Sequence, residues 1–130
     1  EGMITGIGVD LVEVARVRKA LERHGERFLN RIYRPGEVAY SRARARAFEH
    51  FAARFAAKEA VLKALGTGAA HGATMRDVEV VNNSDGKPEI VLHGRTKDLA
   101  DARGVVRIHV SLAHADAYAM AQAVMESGGR

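Results

Sequence analysis

The segment from about Ala45 to Leu65 constrains the fold most, because it contains neither glycine nor proline and is rich in Ala, Leu, Lys, Arg and Glu. This composition favours a helix, and Gly66 supplies a C-terminal stop. Apolar residues recur along the segment at steps of three and four, the pattern of an amphipathic helix: Phe48, Phe51, Ala52, Phe55 and Leu62. The sequence therefore predicts one long helix whose apolar stripe contributes to the core.

Glu59 is out of place in this helix, because its position falls on the apolar stripe. Lys63 follows one turn later on the same side, whereas Arg54 and Lys58 are expected on the opposite, solvent-facing side. An exposed Glu–Lys pair at this spacing contributes about 0.2–0.5 kcal/mol, far less than the desolvation of a carboxylate costs. Glu59 is thus either an ordinary partner of Lys63 or an acid that meets a bound cation.

The segment ITGIGVD near the start of the chain predicts a short strand in which Ile4, Gly6, Gly8 and Asp10 share one face. Glycines inside a strand usually mark the close approach of another part of the structure. Asp10 and Glu13 also have the spacing of a capping box for the next helix, and spacing alone favours this capping role. One carboxylate has two oxygens, so Asp10 can both cap a helix and bind a ligand.

Asp10 and Glu59 meet if the glycine face of the first strand packs on the long helix. Two neighbouring carboxylates repel each other, and one of them stays protonated unless a cation is bound. Mg²⁺ prefers one or two carboxylates completed by water and phosphate oxygens, and we expect Lys63 and Arg54 to lie close enough to contact the phosphate. The chemistry predicted from these residues is that of a metal-bound diphosphate.

The remaining pattern indicates an α+β fold with a mainly antiparallel sheet packed on the long helix and on shorter helices. An amphipathic helix with Val14, Val17 and Leu21 inward follows the first strand, and a further short helix is expected after Pro35. DVEVVNNSDGKPEIVLHG predicts a hairpin, RTKDLADARG a short helix, and VRIHVSLAH with YAMAQAVME two strands joined by a tight turn.

Length, composition and charge limit the function. A chain of 130 residues with 47% hydrophobic and 28% charged residues predicts a single globular domain, assigned to residues 3–126. Residues 1–2 are expected to be a cloning remnant before a start at Met3. No cysteine is present and no signal peptide or membrane span is visible, so we expect a cytoplasmic protein without a membrane partner. Residues 14–46 hold ten basic residues against three acids, which favours an acidic partner.

HVSLAH holds two histidines beside a serine, with His109 and Ser111 on one strand face and His114 at the strand end. A Ser–His hydrolase is disfavoured, because the GxSxG turn of such enzymes is missing. His114 stands where a side chain can reach a ligand.

Four segments together resemble the holo-[acyl-carrier-protein] synthases, the small 4′-phosphopantetheinyl transferases. These are GIGVDLVEVARV at 6–17, RFAAKEAVLKALGTG at 54–68, DGKP at 85–88 and HVSLAHADAYAMAQAV at 109–124. The resemblance implies transfer of 4′-phosphopantetheine from coenzyme A to a serine of apo acyl carrier protein, with release of 3′,5′-ADP. It also implies a homotrimer with the coenzyme cleft between adjacent subunits.

The resemblance assigns residues to roles. Asp10 and Glu59 would bind Mg²⁺ (or Mn²⁺), and with Lys63 they form the catalytic set. Residues at the coenzyme A site would be Arg54, Lys63, Gly66, Pro88 and His114. Arg16 of the basic segment would bind the carrier protein. The base that takes the serine proton stays open between an ordered water and Glu59.

Two other functions also use features of this sequence. A metal-dependent nucleotide or diphosphate hydrolase would use the same carboxylates. An RNA-binding module would need exposed aromatic residues on its sheet, whereas aromatic residues are only 5% of this chain and its predicted strands contain no phenylalanine. No nucleic-acid partner is therefore expected.

Overall fold

The computed structural model describes residues 2–66 and 71–128. The strands in these residues are β1 (Ile4–Glu13), β2 (Val78–Asn82), β3 (Pro88–Leu92), β4 (Val105–Ala115) and β5 (Tyr118–Ser127). The helices are α1 (Val14–His24), α2 (Glu26–Ile32), α3 (Pro35–Arg42), α4 (Ala47–Leu65) and α5 (Gly94–Ala102). None of these helices has the length and apolar character of a membrane span.

The strands form two antiparallel sheets, which confirms the predicted α+β class. One sheet has the order β1-β5-β4, and the other is the predicted hairpin of β2 and β3. In the larger sheet Val9 lies opposite Gln122, which lies opposite Ser111. The inner face of this sheet packs on α4, and its outer face carries exposed apolar side chains of β1 and β5, including Ile7, Leu11 and Met120.

Helix α4 is buried on almost every side, which corrects the prediction of a helix with one wet face. Arg54 is 4% exposed and Lys58 is fully buried, although both were expected in solvent. The reason is that β1, β5 and β4 cover one side of α4, while α1, α3 and β2 cover others. The residues of the predicted apolar stripe differ in burial: Phe51 is buried, whereas Phe48 and Leu62 are only half-buried.

Lys58 tolerates this burial because its charge is fully partnered. Its Nζ atom lies 2.7 Å from Oε1 of Glu37 and donates to the carbonyl oxygens of Met75, at 3.2 Å, and Val78, at 2.5 Å. The other oxygen of Glu37 accepts the backbone N–H of Val80 at 2.8 Å. Burial, partly offset by Glu37, lowers the pKa of Lys58 to about 8. This ion pair joins α3 and α4 to β2.

Strand β1 lies directly against α4, as its glycines indicated. A Cβ atom added at Gly6 would collide with the carbonyl oxygen of Ala64, and one added at Gly8 would collide with that of Ala60. The two missing side chains therefore set the separation of the strand and the helix.

The strand also runs further than predicted. β1 continues to Glu13, α1 begins at Val14, and its N-cap makes no side-chain hydrogen bond. The capping role proposed for Asp10 is therefore wrong, because Asp10 is still in the strand, paired with Ala121 of β5. Helix α2 was not predicted from the sequence.

Candidate functional site

Asp10 and Lys63 form the first part of the site, at the contact of β1 with α4. The Nζ atom of Lys63 lies 3.0 Å from Oδ1 of Asp10 and also donates to the carbonyl oxygen of Val9 at 3.0 Å. The Asp10 side chain is 15% exposed, and that of Lys63 is 55% exposed. The ion pair of Lys63 thus reaches across to β1 and is not the local pair with Glu59 that its spacing allowed.

Glu59 lies half-buried beside this pair. Burial raises the pKa of its carboxyl, the negative charge of Asp10 raises it further, and Lys63 acts in the opposite direction. The structure therefore brings the two predicted acids together at the place where the glycine face of β1 meets α4. Their mutual repulsion is what a bound cation would relieve.

A cavity of about 300 Å³ opens beside the two acids. Asp10 and Glu59 line it together with Arg16 of α1, and the aromatic side chains of Phe28 and Phe55 belong to its apolar wall. The residue predicted to bind the carrier protein is therefore on the same cavity as the predicted catalytic acids. The two phenylalanines were not predicted as site residues, although both lie in segments with basic neighbours.

Arg54 lies on a different side of α4, which corrects the expectation that it sits beside Lys63. Five residues of helix separate Arg54 from Glu59, a rotation of about 140°. The guanidinium of Arg54 donates to Oδ1 of Asn82 at 2.6 Å and lies 3.9 Å from the centre of the Tyr40 ring. Because Asn82 pairs with Pro88 in the hairpin, the structure groups Arg54 with Pro88.

His114 is near the end of β4 and faces α4. Its Nδ1 atom lies 2.9 Å from Oε1 of Glu49, and its ring contacts that of His50, with 5.6 Å between the centroids. His50 in turn contacts the ring of Tyr40, with 5.8 Å between the centroids. His50 and Tyr40 were missed from the sequence. The only local signal was the four-residue spacing of His50 and Arg54 on α4.

The other histidine of HVSLAH makes a separate contact. Nε2 of His109 lies 2.6 Å from Oε1 of Glu126 on the neighbouring strand. This partner, and Glu49 for His114, account for both rings without Ser111, so the geometry lends the Ser–His hydrolase no support.

Gly66 ends α4 as predicted. Its backbone is left-handed, with φ of 83°, and its N–H donates to the carbonyl oxygen of Leu62 at 3.0 Å. Arg103 donates to the carbonyl oxygen of Leu65 beside it. The following residues of the GTG motif, Thr67 and Gly68, lie outside the described residues.

The chain is similar to proteins of one known family over nearly its whole length. The model of the 4′-phosphopantetheinyl transferase superfamily matches residues 6–123. The holo-[acyl-carrier-protein] synthase of Solibacter usitatus is 49% identical over 125 residues, which cover 96% of this chain and 100% of the relative.

Solved structures give the same result. The holo-[acyl-carrier-protein] synthase from Neisseria meningitidis has a TM-score of 0.87 and 30% identity, covering 96% of this chain and 100% of that one. The enzyme from Bacillus anthracis, in complex with CoA (3′,5′-ADP), has a TM-score of 0.78 and 35% identity, covering 97% and 99%. The chain therefore belongs to the 4′-phosphopantetheinyl transferase superfamily, among its holo-[acyl-carrier-protein] synthases.

Proposed function

We propose that the protein, acting as one domain over residues 3–126, transfers 4′-phosphopantetheine from coenzyme A to a serine of apo acyl carrier protein and releases 3′,5′-ADP. The observation that carries this proposal is that Asp10 and Glu59 lie together at the contact of β1 with α4 in a chain of this family. Lys63 of α4 contacts Asp10 of β1 at the same place. The absence of cysteine fits a reducing compartment and supports a cytoplasmic location.

The two acids fit a small hard cation. Mg²⁺ is usually held by one or two carboxylates and completed by phosphate oxygens and water, and Asp10 and Glu59 supply such a pair. The raised pKa of Glu59 beside Asp10 is further support, because a cation would remove the repulsion. Asp10 and Glu59 would hold Mg²⁺ or Mn²⁺, which would supply positive charge to the diphosphate oxygens.

The protein side chains have distinct parts in the reaction. The carrier serine attacks the β-phosphorus of coenzyme A, the bond to the leaving 3′,5′-ADP breaks, and the serine proton is taken by Glu59 or by an ordered water. Lys63 is more than half exposed and can turn from Asp10 to a phosphate oxygen, where its charge would stabilise the transition state. Gly66 lies three residues beyond Lys63, at the end of the same helix.

Carrier binding is assigned to Arg16 and its surroundings. Arg16 lines the cavity of the two acids, and residues 14–46 carry an excess of seven positive charges. An acidic surface bound there would bring its serine to the catalytic acids, while Phe28 and Phe55 offer an apolar wall for a side chain of the carrier.

The coenzyme cleft is proposed to be shared between subunits of a homotrimer. Arg54 and Pro88 meet at Asn82, on a different side of α4 from Glu59, and His114 contacts Glu49, ten residues before Glu59 on the same helix. One copy of the chain therefore does not place these coenzyme residues beside the two acids. A cleft between two copies can join the acids of one to the Arg54 side of the other.

The outer face of the larger sheet supports this assembly. It exposes a group of large apolar side chains, of which each is 41–66% exposed: Ile7, Val9, Leu11, Tyr118 and Met120. Contiguous apolar patches of this kind mark interaction surfaces.

Mass spectrometry tests the function. Apo acyl carrier protein incubated with the chain, coenzyme A and Mg²⁺ should gain one phosphopantetheine group. Release of free phosphopantetheine with unmodified carrier would instead support a diphosphate hydrolase. No change in either molecule would contradict both functions.

A further inference from the structure

His50 has no part in the function proposed so far, yet it lies close to His114 and Arg54, which are both assigned to the coenzyme site. Its ring contacts His114 of β4 edge-to-face, with an interplanar angle of 67°, and Tyr40 of α3 in the same way, with an angle of 78°. It is half-buried and one helical turn before Arg54 on α4. A ligand that reaches His114 would therefore also lie near the His50 ring.

The surroundings of His50 are rich in positive charge. Guanidinium groups of Arg44, from the loop after α3, and Arg54 lie 3.4 Å and 3.9 Å from the centre of the Tyr40 ring. Glu49 is the acid that acts on His50. Its Oε2 lies 3.6 Å from Arg46, and its Oε1 lies 2.9 Å from Nδ1 of His114 but has no hydrogen bond within the described residues.

Burial and the positive charge around His50 lower the pKa of its imidazole. Burial lowers the pKa of His50, and the charges of His114, Arg44 and Arg54 lower it further, against the opposing effect of Glu49. In the ligand-free protein His50 is thus biased towards its neutral form.

A buried donor in the same cluster makes no hydrogen bond. The Nε atom of Arg54 is buried and has no hydrogen-bond partner in the described part of the chain. A bound anion would offset the repulsion between the positive charges of Arg44 and Arg54 and would accept a hydrogen bond from Nε of Arg54.

We propose that His50 is a further coenzyme-binding residue, which takes up a proton when a phosphate of coenzyme A reaches His114 and Arg54. This inference rests on the proposed function, from which the coenzyme assignment of His114 and Arg54 comes. The negative phosphate favours the imidazolium form, so the bound state holds its proton to a higher pH than the free state. Between the pKa of His50 in the free protein and its higher pKa in the complex, binding takes up a proton. In this range the affinity for coenzyme A rises as the pH falls, by at most about tenfold per pH unit.

Isothermal titration calorimetry of coenzyme A into the full-length protein tests this proposal. Titrations in two buffers with different heats of ionisation, over about pH 5–8, give the number of protons taken up. His50→Phe keeps a ring against His114 but has nothing to titrate, and His50→Gln provides a second variant if that ring packs poorly. Since a phosphate monoester itself titrates at about pH 6, the quantity to compare is the difference in proton uptake between wild type and variant.

The wild type should take up more protons than either variant, by a fraction of one proton that is largest where the affinity changes most steeply with pH. Its affinity should rise more steeply towards low pH, while the affinities at high pH should agree within about twofold. Equal proton uptake and equal pH dependence would overturn the role of His50. A wild-type protein that does not bind coenzyme A at any pH would instead contradict the proposed function itself.

Discussion

Glu59 is expected to destabilise the metal-free protein at neutral pH. Burial and Asp10 raise its pKa, so the folded state holds this proton more tightly than the unfolded state. Stability from the protonated form is present below the unfolded pKa and is lost as the pH rises through the folded pKa. Glu59→Gln should therefore raise the melting temperature in EDTA at pH 7, and the gain should disappear as acid protonates wild-type Glu59.

The matched control for this measurement is Glu22→Gln, which removes an exposed acid paired with Arg18 at 3.2 Å. It should change the melting temperature little. Added Mg²⁺ should stabilise the wild type and not Glu59→Gln. A Glu59→Gln protein that is less stable than wild type in EDTA at neutral pH would show that the two acids do not repel.

Lys63 contacts Asp10 in the structure, and we propose that it contacts the diphosphate in the complex. If it stabilises the transition state, Lys63→Met should lower kcat by about 10²–10³-fold at saturating metal and coenzyme, as for the loss of one transition-state donor. Lys97→Met removes a similarly exposed lysine, at 51% against 55%, and should leave kcat unchanged. Full recovery of kcat on titrating Mg²⁺ into Lys63→Met would mean that Lys63 only neutralises Asp10.

At the scale of secondary-structure elements, the pair of Lys58 and Glu37 is expected to hold the hairpin to the helices. Lys58→Met leaves a fully buried carboxylate without its partner, which costs about 3–5 kcal/mol of the free energy of unfolding. Urea denaturation at fixed protein concentration measures this loss. Adding Glu37→Gln should recover part of it, because the amide has no charge.

The control for this prediction is the pair of Lys97 and Asp101, which has the same 2.7 Å separation as the buried pair but is about half exposed. Lys97→Met should cost at most about 1 kcal/mol. Equal losses in the free energy of unfolding for Lys58→Met and Lys97→Met would show that the buried ion pair matters no more to stability than the exposed one.

The elements that the sequence predicted well are those with a local signal. Alternation and two glycines identified β1 and its contact with α4, and the turn residues identified the hairpin. The environments of Arg54 and Lys58 were missed because their partners, Asn82 and Glu37, are 28 and 21 residues away. Long-range partners leave no periodic pattern, so a charged residue in a helix was assigned to solvent.

The same distinction applies to the site. Asp10 and Glu59 could be paired from the sequence because the strand and the helix each fix the direction of one side chain. The separation of Arg54 from Glu59 depends on which side of α4 the hairpin covers. That follows only from the packing of the whole molecule.

At the scale of the whole molecule, the basic segment should govern association with the carrier protein. Arg16→Glu should raise the KM for carrier protein much more than the KM for coenzyme A, because the reversed charge would repel an acidic surface. Arg42→Glu makes the same change of net charge away from the cavity, on a side chain that is 57% exposed, and should have a smaller effect. An equal rise in both constants for Arg16→Glu would place Arg16 at the coenzyme instead.

The open face of the larger sheet should determine the oligomeric state. If the proposed homotrimer forms through this face, Met120→Glu, which places a charge there, should convert it to monomers, as measured by light scattering after size-exclusion chromatography. Val91→Glu is a matched control on the smaller sheet, because both residues are 41% exposed. Monomers should also lose transfer activity if the cleft is shared. A wild type that is monomeric, or a fully active monomeric variant, would contradict the shared cleft.

The close contact of β1 with α4 has a consequence for how the protein can change over evolutionary time. Any replacement at Gly6 or Gly8 adds at least one carbon atom where the helix backbone already lies. Such a change would push apart the strand that carries Asp10 and the helix that carries Glu59. These two positions therefore have few neutral mutations open to them, although neither has a functional group that could take part in the chemistry.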